Sequence, residues 1–146
     1  MNGVKFEVAC EQIMESIKSQ VISRGYRVSN QIRNAVMRTL KGQGHGRVYR
    51  VPGSMGAYYT ASAPGEVPAV RTGAYRASWK PRTEITPSGS SVTVNSICES
   101  EHEVNGYVLG ALLEDGTSKM APRPHVEKIT KQTEKTAMKI YKEPYF

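Results

Sequence analysis

Seven aliphatic residues, Ile13, Ile17, Val21, Val28, Ile32, Val36 and Leu40, recur four or seven positions apart. Steps of that size return to one side of an α-helix, so the spacing predicts one long amphipathic helix over residues 1–41. Glu15, Lys18, Arg24, Arg27, Arg33 and Arg38 fall mostly off the stripe. Gly25 interrupts it at a cost of about 1 kcal/mol relative to alanine, which predicts a kink or a close packing contact there. Gly42, Gly44 and Gly46 predict its end. A second stripe, Val126, Ile129, Thr133, Ala137 and Ile140, is surrounded by Lys128, Lys131, Lys135, Lys139 and Lys142 and predicts a closing helix, with Pro124 as its first residue.

Between the helices the pattern changes. Residues 42–73 are rich in Gly, Pro, Ser and Tyr and lack periodicity, and a loop beyond about 12–15 residues is either disordered or functional. Pro64 and Pro68 fix φ and hold Ala63 and Val67 extended, while Gly65 permits a turn, so residues 61–73 predict a semi-rigid arm. Val48, Tyr49, Val51, Tyr58 and Tyr59 give it points of adhesion that a solvated linker would not need. Thr72 is placed to cap a short helix from Gly73 to Trp79, which Pro81 closes. Thr83 and Ile85, then Val92, Val94 and Ile97, alternate with polar residues around Pro87-Ser88-Gly89 and predict an antiparallel hairpin. The acidic stretch after Cys98 reads as a loop or a continuation of the sheet. The cluster Tyr107, Val108, Ala111, Leu112 and Leu113 suits a short helix ending at Gly116 or a buried strand. These elements predict an α+β single domain, two helices flanking a small antiparallel sheet, in units 1–41, 42–73, 74–118 and 119–146.

With 146 residues and 38% hydrophobic content the chain can bury one modest core. No apolar run approaches the ~20 residues needed to cross a bilayer, and no secretory signal pattern is visible, so the expectation is a cytoplasmic protein without a membrane partner. The net charge of +7 is segregated: +3 over residues 1–40, +6 over 41–82, −6 over 83–118 and +4 over 119–146. Basic and acidic blocks of equal size suit head-to-tail contact between identical subunits as well as nucleic-acid binding. Arg47, Arg50, Arg71, Lys80 and Arg82 are candidate contacts to DNA or an acidic partner, with Arg76 beside them and tyrosines interleaved for stacking. Glu99, Glu101, Glu103 and Asp115 are candidates for a channel lining or for a neighbour's basic arm.

Cys10 and Cys98 have no close-spaced partner and read as buried thiols. His45, His102 and His125 lack the short spacings of zinc sites, and Cys98 with His102 is a nucleophile and base only if a loop folds them together. The expectation is therefore no metal, no cofactor and no catalytic residue. Glu114 and Arg123 are the expected pair pinning the turn before the last helix through a bidentate contact.

Two stretches together resemble a known family. Ser62, Ala63, Pro64, Gly65, Pro68, Ala69, Thr72, Gly73, Arg76 and Ser78 meet one pattern; Glu114, Gly116, Thr117, Ser118, Met120, Arg123 and Pro124 meet a second before the last helix. In this order, with helices outside them, they resemble the neck, or tail-completion, family of long-tailed bacteriophages, the gene-product-ten-like head-tail joining proteins. The likeness covers about the last two-thirds of the chain. Asp115 and His125 depart from it, standing where such proteins usually carry aromatic residues. The resemblance implies a non-catalytic virion protein: a ring homo-oligomer, with six subunits the expected number, between the head-closure or connector proteins and the tail-terminator or tail-tube proteins. Double-stranded DNA passes through its lumen. It implies that the arm, with Ser62, Pro64, Gly65, Pro68, Val70, Thr72, Gly73 and Arg76, lies across a neighbour and takes its shape there. A tail-terminator role and a small basic nucleic-acid-binding protein are the alternatives.

Overall fold

The computed structural model describes residues 2–146, with side chains from Ile13 onward. The elements run α1 (Asn2–Thr39), β1 (Val48–Arg50), β2 (Tyr58–Thr60), α2 (Ala74–Ala77), β3 (Lys80–Ser88), β4 (Ser91–Glu99), β5 (Glu103–Val104), β6 (Tyr107–Val108), α3 (Leu109–Asp115) and α4 (Val126–Tyr141). The fold is α+β, and α1 packs on α4 and on the β3–β4 ribbon. The strands form three separate antiparallel hairpins, β1–β2, β3–β4 and β5–β6, where one small sheet was expected. The outer two hold only three and two residue pairs, each closed by its own turn.

The core lies where the C-terminal half of α1 meets Trp79 and the start of α4: Ala35, Val36, Leu40, Trp79 and Ile129 are buried together, with Ile32, Met37, Tyr75 and Cys98 against them. Both predicted stripes reach it, through Val28, Val36 and Leu40 on α1 and Ile129, Thr133 and Ile140 on α4, although Val126 and Ile13 stay exposed. Cys98 is half-buried rather than buried; Cys10 lies outside the residues whose side chains are described.

Gly25 realises the close-packing alternative. A Cβ there would overlap Val94 Cγ1, so the bare backbone lets the ribbon lie directly on the helix. Ser96 Oγ donates to the Gly25 carbonyl at 2.7 Å, and Ser29 Oγ, 2.9 Å from the Arg82 carbonyl and 2.7 Å from Thr83 Oγ1, ties β3 to the same turn of helix. The ribbon pairs from Lys80↔Glu99 to Ser88↔Ser91, so its turn is Gly89-Ser90, with Gly89 at φ +56°. Pro87 therefore sits inside β3 opposite Val92, and Pro81 stands opposite Cys98 instead of closing α2. Both are tolerable because a two-stranded ribbon leaves one edge of β3 needing no donor.

Arg24 does not lie on a solvated face. It is 5% exposed, and its guanidinium donates to the carbonyls of Tyr141, Glu143 and Pro144 at 3.2, 2.6 and 2.9 Å while stacking on Tyr145. Arg27 adds a fork of two hydrogen bonds to the Glu143 carboxylate, 2.7 and 2.8 Å. The end of α4 and the terminal residues are thereby clamped to the middle of α1.

Candidate functional site

The two stretches that carry the resemblance are about fifty positions apart in sequence and meet in space. Arg123 Nε donates to Ser62 Oγ at 2.9 Å, and the Gly65 amide donates to the Pro122 carbonyl at 3.1 Å. Tyr75 Oη lies 2.7 Å from His125 Nε2. His125 has no exposed surface and is enclosed edge-on by the Tyr75 and Trp79 rings. Its Nδ1 is 2.9 Å from the Arg123 carbonyl, an acceptor only, so Nδ1 carries the proton and, in the neutral ring, Nε2 accepts from the Tyr75 hydroxyl. Burial raises the Tyr75 phenol far above its ordinary value, keeping it a donor.

Glu114 and Arg123 do not form the expected pair. Glu114 Oε2 accepts from the backbone amides of His125 (2.9 Å) and Val126 (3.3 Å), capping α4 from another element. That cap sets the helix start at Val126 with His125 as N-cap, so Pro124 precedes the helix rather than opening it. Arg123 instead holds Ser62 and the Ala121 carbonyl. Gly116 ends α3 at φ +77°, where a Cβ would crowd Met120 and Pro122, and Thr117 bridges to Met120 across the turn. Gly73, at φ +80°, is the N-cap position of α2, and the Thr72 hydroxyl accepts from the Ala74 amide at 3.3 Å. Arg76 donates to the Met37 carbonyl at 2.7 Å and so finishes α1.

The arm is seated on its own chain, which overturns the expectation that a neighbour must shape it. Ser62 and Pro68 are buried, and the Val70 amide donates to the Gly42 carbonyl at 3.2 Å. Gly44 and Gly46 serve this close approach rather than merely ending α1, since a Cβ on either would run into the backbone of Ala61 and Ser62. Pro64 and Gly65 form the exposed bend of the arm. Glu66 latches it: its carboxylate accepts from the Ala63 amide at 2.8 Å and the His45 amide at 3.0 Å, with His45 Nδ1 at 2.8 Å.

Those contacts, the Ala63 amide foremost, hold the Glu66 carboxyl down from 4.5 to about 2. A carboxyl with a depressed folded value stabilises fully above its unfolded value and loses that contribution as pH falls through the folded one. The latch should therefore stay closed down to pH 4.5 and open on approach to pH 2. In an NMR titration, the Ala63 and His45 amide shifts should move with a midpoint near 2, and Glu66→Gln should remove the step; a midpoint near 4.5 contradicts the latch.

Within the 42–73 segment, Val48 to Thr60 is not an arm at all but the β1–β2 hairpin, which the sequence reading missed. Val48-Tyr49 and Tyr58-Tyr59-Thr60, β-branched and aromatic residues on either side of the turn-rich Pro52-Gly53-Ser54, were the available signal. Its register puts Tyr49 opposite Tyr59, rings stacked 5.6 Å apart, with the Arg47 guanidinium over Tyr49 and that of Arg71 over Tyr59. These rings form one wall of a cleft of about 510 Å³, with Pro68 and Tyr75 behind and Val104, Leu109 and Met120 among the remaining lining. Both motif stretches thus border one cleft.

No family model, curated protein or solved structure matches the chain.

Of the other charges, Arg82 is engaged by Glu84 and Glu99 of its own ribbon, which removes it and Glu99 from the set of free contacts. Arg47, Arg50, Arg71 and Lys80 are exposed, as are Glu101, Glu103 and Asp115, and none of these seven forms an ion pair among the described residues. No group of three or more His, Cys, Asp or Glu that could hold a metal ion is present among the described residues. Burial pushes the Cys98 thiol up to about 11, away from the thiolate that a nucleophile needs. No helix among the described residues is long and apolar enough to cross a membrane.

Proposed function

We propose that this protein is a structural subunit of the neck of a long-tailed phage or prophage, forming a ring at the head-tail junction that completes the tail, joins it to the head and lets DNA through its lumen. The observation that supports this most is the meeting of the two resembling stretches: Ser62 bonds directly to Arg123, and Gly65 to Pro122 beside it. Residues that merely happened to match a pattern would have no reason to converge on one junction, with polar groups paired inside it. Catalysis has no place in this reading: Ser62, Tyr75, Arg123 and His125 are spent on each other and on backbone.

The test is complementation. When the gene is interrupted in the phage or prophage that carries it, DNA-filled heads and tails lacking this subunit should accumulate separately. Added purified protein should join them. Infectious particles formed without the gene defeat the proposal.

One observation favours the second reading. The Arg47, Tyr49, Tyr59 and Arg71 stack holds two rings between two cations, the residue types that single-strand binding surfaces use. Under that reading the purified protein binds short single-stranded DNA tightly, with affinity falling steeply as salt rises. A conduit for DNA requires the opposite, weak and transient contact.

A further inference from the structure

The register of β1–β2 leaves the hairpin with two unlike faces. Tyr49 and Tyr59 point into the cleft, whereas Val48, Arg50, Tyr58 and Thr60 share the other face. That outer face is uncovered: Val48 is 57% and Tyr58 66% exposed, and Met55, in the connecting turn, stands wholly in solvent. A two-stranded hairpin is marginal in water unless something packs on it. At β5–β6 the situation mirrors this. Glu103 and Val108 form one face, Val104 and Tyr107 the other, and Tyr107 and Val108 are 65% and 43% exposed. The outer face of one hairpin combines exposed apolar groups with Arg50 and the other hairpin combines them with Glu101 and Glu103, none of the three ion-paired among the described residues.

We infer that the outer face of β1–β2 docks onto the β5–β6 hairpin of a second copy of this chain, Arg50 meeting Glu103 and Glu101 around an apolar centre of Val48, Tyr58 and Val108. The two surfaces differ, so the contact is head-to-tail and repeats from copy to copy until it closes. This rests on the ring reading and supplies its interface. It also reassigns the role expected of the proline arm, which is occupied within its own chain. Opposite charges without local partners, each beside uncovered apolar surface, set both the register and the identity of the partner.

Charge reversal tests it through sedimentation velocity at low ionic strength on the full chain. Arg50→Glu, or Glu101→Lys with Glu103→Lys, should each weaken self-association at least about tenfold, since like charges then face each other. Mixing the two variants should restore it, because junctions between unlike variants again join opposite charges, and so should a chain carrying all three changes. Restoration also shows that both variants are folded. Wild-type association indifferent to either reversal overturns this contact and leaves the ring standing. Association with the expected sensitivity that stops at two copies keeps the contact and overturns the ring. A wild-type chain that stays monomeric at every concentration overturns both.

Discussion

His125→Ala should lower the unfolding free energy by about 3–5 kcal/mol, the range for truncating a large enclosed ring, read as a shift of the urea midpoint. The side chain has no exposed surface and is held between the Tyr75 and Trp79 rings, so the cavity cannot fill with water without wetting the core beside it. Polar contacts add to the loss, since Nε2 is the partner of the Tyr75 hydroxyl at 2.7 Å. His125→Phe separates the two effects. It returns the ring but strands the Tyr75 hydroxyl and withdraws the Nδ1 donor from the Arg123 carbonyl and Glu114 Oε2, and should cost about 1–3 kcal/mol; adding Tyr75→Phe, which removes the first of these orphans, should recover part of that. If the double variant is no more stable than His125→Phe alone, the hydrogen bond is not what makes the site specific.

Arg24→Ala should cost about 3 kcal/mol or more, because each charge-assisted hydrogen bond contributes about 1.5–3 kcal/mol and carbonyls of the α4 end are left without donors. The expected signature goes beyond a lower urea midpoint. Residues 141–146, tied through Tyr141, Glu143, Pro144 and the Tyr145 ring, should become the first site of proteolytic cleavage while the remainder resists. Arg24→Lys should behave nearly as badly, since one ammonium cannot reproduce a planar fork reaching several carbonyls and a ring. Unchanged protease resistance in Arg24→Ala would mean that the Arg27 fork to Glu143 suffices by itself.

What could be read in advance follows the range of the interactions involved. The two long helices and the β3–β4 ribbon were legible because their signal is periodic and repeated over many residues, so single exceptions do not erase it. Arg24 and Gly25 were legible in part: the stripe has a seven-residue gap between Val21 and Val28, and these two residues stand in it. A charged side chain there looks like an exception to burial until the backbone carbonyls that receive it are known. The start of α4 was misplaced because its cap comes from Glu114 on α3, a tertiary contact that local rules about proline cannot contain. The same holds for the Glu66 latch and for the seating of the arm. The β1–β2 hairpin was lost for another reason: three-residue strands carry too little alternation to stand out from the glycines around them. The candidate junction was visible as two patterns, but their meeting at Ser62 and Arg123 was not.

Pro81 and Pro87 bear on how copies of this chain can join. Each removes a main-chain donor from β3, and since the strand's paired side faces β4, the gaps fall along its free border. That border is a poor template for a further strand. Any extension of sheet from one molecule to the next is thereby steered away from the β3 side of the longest ribbon, leaving β4 as the side that keeps every main-chain donor.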